Sequence, residues 1–219
     1  MADGQQPHAD QTPLSMGAPL SEADAVVVAL HGRGATARSV LQLVAQLDVD
    51  GVAGVAPQAT RNPWYPTGFM EPIEQNEPWL SAALSTLGDL VASVEEEGVP
   101  AERIVLLGFS QGACLASEFL ARNARQYGGH VAFSGGLIGP PGTPRDYEGT
   151  LDGTPVFLGC SDRDPHIPEE RVHETAGVYE DLGADVTTRI YEGMGHTVNQ
   201  DEIEAAREIV ATAAGSSGV

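Results

Sequence analysis

The run Ile104-Val105-Leu106-Leu107 passes directly into Gly108-Phe109-Ser110-Gln111-Gly112, and an apolar-rich helical pattern follows from Ala113 to about Arg125. This order constrains the chain more than any other stretch. Consecutive apolar residues read as a strand covered on both faces. The pentapeptide matches the G-x-S-x-G turn, in which a strand reverses sharply into a helix and lifts a serine hydroxyl above the sheet edge. Such a turn leaves no space for side chains at Gly108 and Gly112. It also sets Ser110 near a helix N-terminus, where N–H groups without helical partners can stabilise developing negative charge. Taken alone, the pentapeptide fits a tight turn with a serine helix cap equally well.

Strand and helix patterns alternate through the rest of the chain. Ala25 to Leu30 is an uninterrupted apolar run, as in a strand of a buried parallel sheet. A helix is expected over about Thr36 to Leu47, with Val40, Leu41, Val44 and Leu47 on one face. Further strands are expected at Val52–Val55, His130–Phe133, Pro155–Gly159 and Asp185–Tyr191, and further helices near Trp79–Glu96, Glu169–Leu182 and Asn199–Thr212. Leu14 to Leu20 has the makings of a short edge strand. The expected fold class is α/β: a single mostly parallel sheet with helices on both faces. It should occupy residues 14–213, between flexible tails over 1–13 and 214–219. The segment from Gln58 to Pro78 is long, irregular and loaded with proline and aromatics, which marks a folded flap over a pocket rather than a plain connection.

Composition narrows the function classes. The 219 residues carry 31 acidic and 11 basic side chains, a formal net charge of -20, and every basic residue is arginine. A field of that sign repels nucleic acid and anionic membrane surfaces, so neither nucleic-acid binding nor stable membrane association is expected. An acidic surplus also suits very high salt, where screening relieves self-repulsion. A salt-adapted cytoplasm accounts for it, as does a GC-rich genome that favours arginine codons. Cys114 and Cys160 form neither a disulfide framework nor a metal cluster and read as buried thiols. No basic residue precedes Ala25 and no apolar h-region is present, so no secretory leader is expected.

Ligands of such sheets bind beyond the carboxyl ends of the strands. Arg33, Ser110, Asp164 and His196 all lie just past expected strand ends. A serine hydroxyl needs a base to become nucleophilic, a histidine suits that task near neutrality, and a carboxylate fixes the ring tautomer. The chain order Ser110, Asp164, His196 is the α/β-hydrolase order. His196 lies in a glycine-flanked loop rather than on an apolar helix face, whereas His8 falls in the tail and His31 shapes a glycine-rich turn. Asp162 and Asp164 occupy the same loop, and the residues alone leave both open as the acid. The oxyanion donors should be the backbone N–H groups of Gln111 and of Arg33 in the His31-Gly32-Arg33-Gly34 turn. The Arg33 side chain either attracts an anionic substrate end or pairs with surface carboxylates. Trp64, Tyr65, Phe69, Met70 and Ile167 are candidates for an apolar pocket.

At these stretches, and at Asp162-Arg163-Asp164-Pro165-His166-Ile167-Pro168, the chain resembles the phospholipase/carboxylesterase family of α/β-hydrolases, which includes acyl-protein thioesterases. The likeness runs from about Val26 to Val210. It implies Ser110 as nucleophile, His196 as base and Asp164, just before the proline, as acid, with Arg33 and Gln111 as oxyanion donors. It implies a small-molecule ester or thioester substrate, no organic cofactor or metal, and a monomer or homodimer. The segment Asn62-Pro63-Trp64-Tyr65-Pro66 with Phe69 is unlike eukaryotic acyl-protein thioesterases and similar to small prokaryotic carboxylesterases. The implied activity is a carboxylesterase; alternatives are an acyl thioesterase or lysophospholipase-type hydrolase, and a non-catalytic binding protein on the same fold.

Overall fold

A computed structural model describes residues 7–9 and 11–215. The strands are β1 (Leu14–Gly17), β2 (Ala25–Leu30), β3 (Val52–Ala56), β4 (Ile104–Phe109), β5 (Gly129–Phe133), β6 (Pro155–Ser161) and β7 (Asp185–Tyr191). The helices are α1 (Ala37–Ala45), α2 (Trp79–Glu96), α3 (Gln111–Arg122), α4 (Glu169–Asp181) and α5 (Gln200–Ala213). The strands form one seven-stranded sheet in the order β1-β3-β2-β4-β5-β6-β7. Every neighbouring pair is parallel except β1 with β3. This is the expected α/β-hydrolase layout, and the short edge strand near Leu14 is its antiparallel margin.

Because successive strand side chains point to opposite faces, each apolar strand feeds two cores. Val26, Val28 and Leu30 of β2 join Leu106 and Leu158 beneath α2, α3 and α4. Val27 and Ala29 face the other way, with Val105, Leu107 and Phe133, beneath α1 and α5. The central strands β2 and β5 are buried at every residue, whereas the edge strand β7 (DVTTRIY) mixes exposed and half-buried positions. Thr36 caps α1 and Asn199 caps α5, each through a reciprocal box with the residue three further on, Ser39 and Glu202. Among the described residues no helix is long and apolar enough to cross a membrane.

The tail expected over residues 1–13 needs correction at His8. Its side chain is buried, accepts from Thr60 N–H at 3.0 Å through Nδ1, and donates to the Trp64 carbonyl at 3.0 Å through Nε2. The ring also packs 5.5 Å from both Trp64 and Trp79. A polar stretch reads as a frayed end by composition, but one histidine with a partner for each nitrogen anchors it. Residues 1–6, 10 and 216–219 of the expected tails lie outside the described residues. Both cysteines are buried free thiols, and burial pushes each up to about 12.

Backbone packs closely against backbone around the Ser110 turn. A Cβ at Gly108 would come within 2.5 Å of the Ala113 backbone, and one at Gly112 would strike the Leu30 carbonyl oxygen and sit 2.6 Å from that of His31. Backbone on both sides gives neither side a cheap way to move. Gly112→Ala should therefore lower the unfolding free energy by about 3 kcal/mol, the upper range for overpacking a core. Urea unfolding followed by tryptophan fluorescence measures this, and a loss near zero would mean that α3 slides freely over β2.

Candidate active site

Ser110 stands between the end of β4 and the start of α3 with φ 55° and ψ -122°, a backbone region that non-glycine residues rarely occupy. Its neighbours hold it there. Ser110 N–H donates to the Phe133 carbonyl at 2.9 Å, and Cys114 N–H donates to the Ser110 carbonyl at 3.0 Å. With Gly108 and Gly112 allowing α3 to close on β2, the hydroxyl projects from the turn.

The hydroxyl meets the ring of His196. His196 Nε2 lies 2.8 Å from Ser110 Oγ, and Nδ1 lies 2.7 Å from Asp164 Oδ2. Asp164 has no exposed side-chain surface. Its other oxygen accepts from the N–H groups of His166 at 2.8 Å and Ile167 at 3.0 Å. Burial by itself pushes this carboxyl up. The hydrogen bond with His196 and the two backbone donors outweigh it, so the group sits below its ordinary value and stays ionised. Among the described residues Asp162 makes no hydrogen bond to His196. It accepts from Gly193 N–H at 2.7 Å, while Ser161 Oγ accepts from Gly195 N–H at 3.0 Å. The structure thus separates the two aspartates: Asp164 addresses the ring, and Asp162 holds the loop that carries it.

The Gly32-Arg33 turn brings its backbone beside Ser110. Neither Arg33 N–H nor Gln111 N–H finds an acceptor among the described residues. Both residues border, with Ser110 and His196, a cleft of about 380 Å³. His31 stiffens the turn. Its Nε2 accepts from Ala59 N–H at 3.1 Å, which puts the ring proton on Nδ1, where it donates to the Gly32 carbonyl at 2.8 Å. Burial lowers the affinity of this ring for a second proton.

Among the described residues the Arg33 side chain bonds to backbone carbonyls rather than to a surface carboxylate. The guanidinium faces the flap and donates to the carbonyls of Tyr65 and Pro66 at 3.0 Å each, and to that of Thr67. Gln111 does similar work: Nε2 donates to the Tyr65 carbonyl at 2.8 Å and Oε1 accepts from Trp64 N–H at 3.0 Å. The flap is further pinned at Phe69, whose carbonyl accepts from Gly139 N–H at 2.7 Å and whose ring lies under the Arg171 guanidinium. Of the expected pocket residues, Tyr65, Phe69 and Ile167 line the cleft. Trp64 is fully buried instead, stacked 4.9 Å from the His31 ring and donating through Nε1 to the His31 carbonyl. Met70 does not border the cleft. Aromatic content alone cannot tell a lining residue from one that fastens the flap to the core.

Residues 14–214 match the sequence pattern of the family described as Phospholipase/Carboxylesterase. The chain belongs to the phospholipase/carboxylesterase family. It is 28% identical to acyl-protein thioesterase 1 of Gibberella zeae over 208 residues, covering 84% of this chain and 88% of that one. The crystal structure of a phospholipase/carboxylesterase from Dyadobacter fermentans is 45% identical, with a TM-score of 0.88 over 92% of this chain and 96% of that chain. The carboxylesterase of Bacillus cereus shares the fold at 21% identity, with a TM-score of 0.72 over 94% and 95% of the two chains. Hydrolase chemistry of the carboxylesterase or phospholipase type follows from this membership.

Two site residues escaped the reading of motifs in this family member. Phe109 packs its ring 4.9 Å from that of His196, and His166 packs at 4.8 Å on an edge. A signal for Phe109 was available: it is the large apolar residue at the open end of a strand otherwise buried. Outside both of these, Glu202 is buried on α5 just beyond the His196 loop. Its Oε2 accepts from Asn199 N–H at 2.9 Å, while Oε1 has no partner and presses against Gly159. Burial lifts the carboxyl from 4.5 to about 7, with Asp201 adding to the rise and the Asn199 bond opposing it. A carboxyl that holds its proton more tightly when folded contributes stability below about pH 4.5, and that contribution is lost as pH rises through about 7. Glu202→Gln should therefore gain about 2–3 kcal/mol on the wild type between acid and mildly alkaline pH. Urea midpoints of both proteins across that range test this; parallel curves would refute it.

Proposed function

We propose that this chain is a serine carboxylesterase that hydrolyses small to medium carboxylic esters through an acyl-serine intermediate. The observation that carries the reading is the continuous hydrogen-bonded path from Ser110 Oγ through His196 to Asp164. Residues 14–213 are the catalytic unit, and no organic cofactor or metal takes part.

In the first half-reaction His196 Nε2 accepts the Ser110 proton as Oγ attacks the ester carbonyl carbon. The backbone N–H groups of Arg33 and Gln111 receive the negative charge on the carbonyl oxygen, each such donor being worth about 3 kcal/mol of transition-state stabilisation in comparable sites. Asp164 holds the ring with Nδ1 protonated and stabilises the imidazolium. The alcohol leaves with the proton from Nε2. Water, deprotonated by the same nitrogen, then attacks the acyl-serine and releases the acid.

The cleft of about 380 Å³, walled by Tyr65, Phe69 and Ile167, lies at the small end of ligand pockets, which span about 300–1,000 Å³. That size supports short and medium acyl groups. The thioesterase name of the Gibberella zeae relative supports a second reading, acyl thioester hydrolysis by the same steps.

A serine-directed fluorophosphonate should label Ser110 alone, and Ser110→Ala should abolish labelling in intact-mass and peptide spectra. Asp164→Asn should lower kcat by about 10⁴-fold, as losing the acid of such a triad does, with Asp162→Asn far milder. Label on another residue, or equal losses at the two aspartates, would reject the assignment.

The net charge of -20 supports a salt-adapted cytoplasmic setting within the same reading. At about 1 M salt the screening length falls to about 3 Å, so the urea midpoint should rise steeply from dilute buffer to molar potassium chloride. A flat dependence would leave codon bias as the cause of the arginine-only composition.

A further inference from the structure

A second cleft, of about 590 Å³, opens on the other side of His196, between α1 and the start of α5. It shares Gly32, Ala35, Phe109 and His196 with the first cleft. Ser110, Arg33 and Gln111 border only the first. We infer that this second cleft is the leaving-group subsite, and that it takes a neutral, hydroxyl-bearing alcohol such as a polyol. The inference rests on the esterase reading and assigns the two halves of its substrate to different clefts.

Proton transfer dictates the assignment. As the tetrahedral intermediate collapses, the bond from carbon to the alcohol oxygen breaks and the proton on His196 Nε2 passes to that oxygen. The departing oxygen must therefore approach the imidazole, while the carbonyl oxygen points at the Arg33 and Gln111 N–H groups. The acyl chain stays in the cleft that holds those donors. The rest of the alcohol is directed past His196, to the side walled by Thr197 and Val198.

The walls define the ligand. Ser39, Gln42, Leu43 and Gln46 lie along one face of α1 and its cap, opposite Thr197, Val198 and Gln200. Among the described residues no lysine, arginine, aspartate or glutamate borders this cleft, in a chain where 19% of residues are charged. Val40, Leu43, Val198 and Ile203 give it a partly apolar floor. Among the described residues the Gln42 amide has no side-chain partner, and Gln46 and Gln200 engage only their Nε2 groups, at 3.4 Å and 3.2 Å. Uncommitted amides both donate and accept, which matches hydroxyl groups. A cationic head group would meet no carboxylate on these walls, and a phosphorylated leaving group no arginine. The cleft is also firm: Arg207 of α5 donates to the Leu47 and Gln46 carbonyls at 2.7 Å and 3.3 Å, tying the two walls together.

A butanoate series isolates the alcohol. Methyl butanoate, glycerol 1-monobutanoate, hexyl butanoate and butyrylcholine all yield one acyl-enzyme, so differences in kcat/KM arise in acylation alone. The glycerol ester should exceed the methyl ester by about tenfold in kcat/KM, the scale of a few good pocket contacts, and should lead the hexyl and choline esters. Gln42→Trp, at an exposed position, and Gln46→Leu should each bring the glycerol-to-methyl ratio toward one. Equal kcat/KM across the series, a lead for the hexyl or choline ester, or an unchanged ratio in both variants would overturn the subsite while the esterase reading stands. No turnover of any ester, together with no burst from p-nitrophenyl butanoate, would bring down both.

Discussion

The constraint on which the site depends is a close approach of backbone to backbone, where α3 crosses β2 and β4. Gly108 and Gly112 permit it, and no other residue would. This contact does more than save space. It forces the chain to reverse within one residue, and Ser110 takes up the resulting φ of 55°. Strain of this kind persists only where the surroundings over-determine it. Here they include a hydrogen bond to β5 through Phe133 and another into the first turn of α3. Geometry at the nucleophile is therefore a property of the packed sheet rather than of a loop.

The other site residues inherit their positions from the same sheet in different ways. Asp164 follows β6 at once and is fixed by two N–H groups of its own loop. His196 follows β7, an edge strand with less burial, and needs outside help. Ser161 and Asp162, at the end of β6, supply it by accepting from Gly195 and Gly193. The β6 and β7 loops are thus latched to one another, which holds the acid and the base together. Phe109 and His166 both pack against the ring.

How much of this was legible in the sequence depended on the physical origin of each feature. Buried parallel strands advertise themselves through uninterrupted apolar runs, so β2 and β4 were readable at once, as was the helix α2 with its apolar repeat. The residues that meet at the sheet edge were readable because strand direction alone gathers them there. What sequence pattern could not show was the work of side chains that bond to backbone far along the chain. Arg33, Gln111 and His8 all bond to the backbone of the Gln58–Pro78 segment. Carbonyl and N–H groups are identical at every residue, so no residue type in that segment marks where a partner will land. Trp64 and Met70 were misplaced for the same reason: an aromatic-rich flap has an inner and an outer face, and its partners decide which is which.

Arginine carries much of this long-range fastening. Arg33 grips three successive carbonyls of the flap, Arg171 those of Leu137 and Gly139, Arg145 that of Ile138, and Arg207 those of Leu47 and Gln46. A planar fork with five donors can bridge neighbouring carbonyls in a way that a single ammonium cannot. These guanidiniums spend hydrogen bonds on neutral carbonyls, and among the described residues only Arg145 and Arg171 of these four also meet a carboxylate within salt-bridge distance. With 31 acidic residues against 11 arginines, that deployment leaves most of the acids to water. Several of the few cations present thus serve to fasten loops and helix ends around the sheet edge rather than to offset the acidic surplus, which composition alone sets.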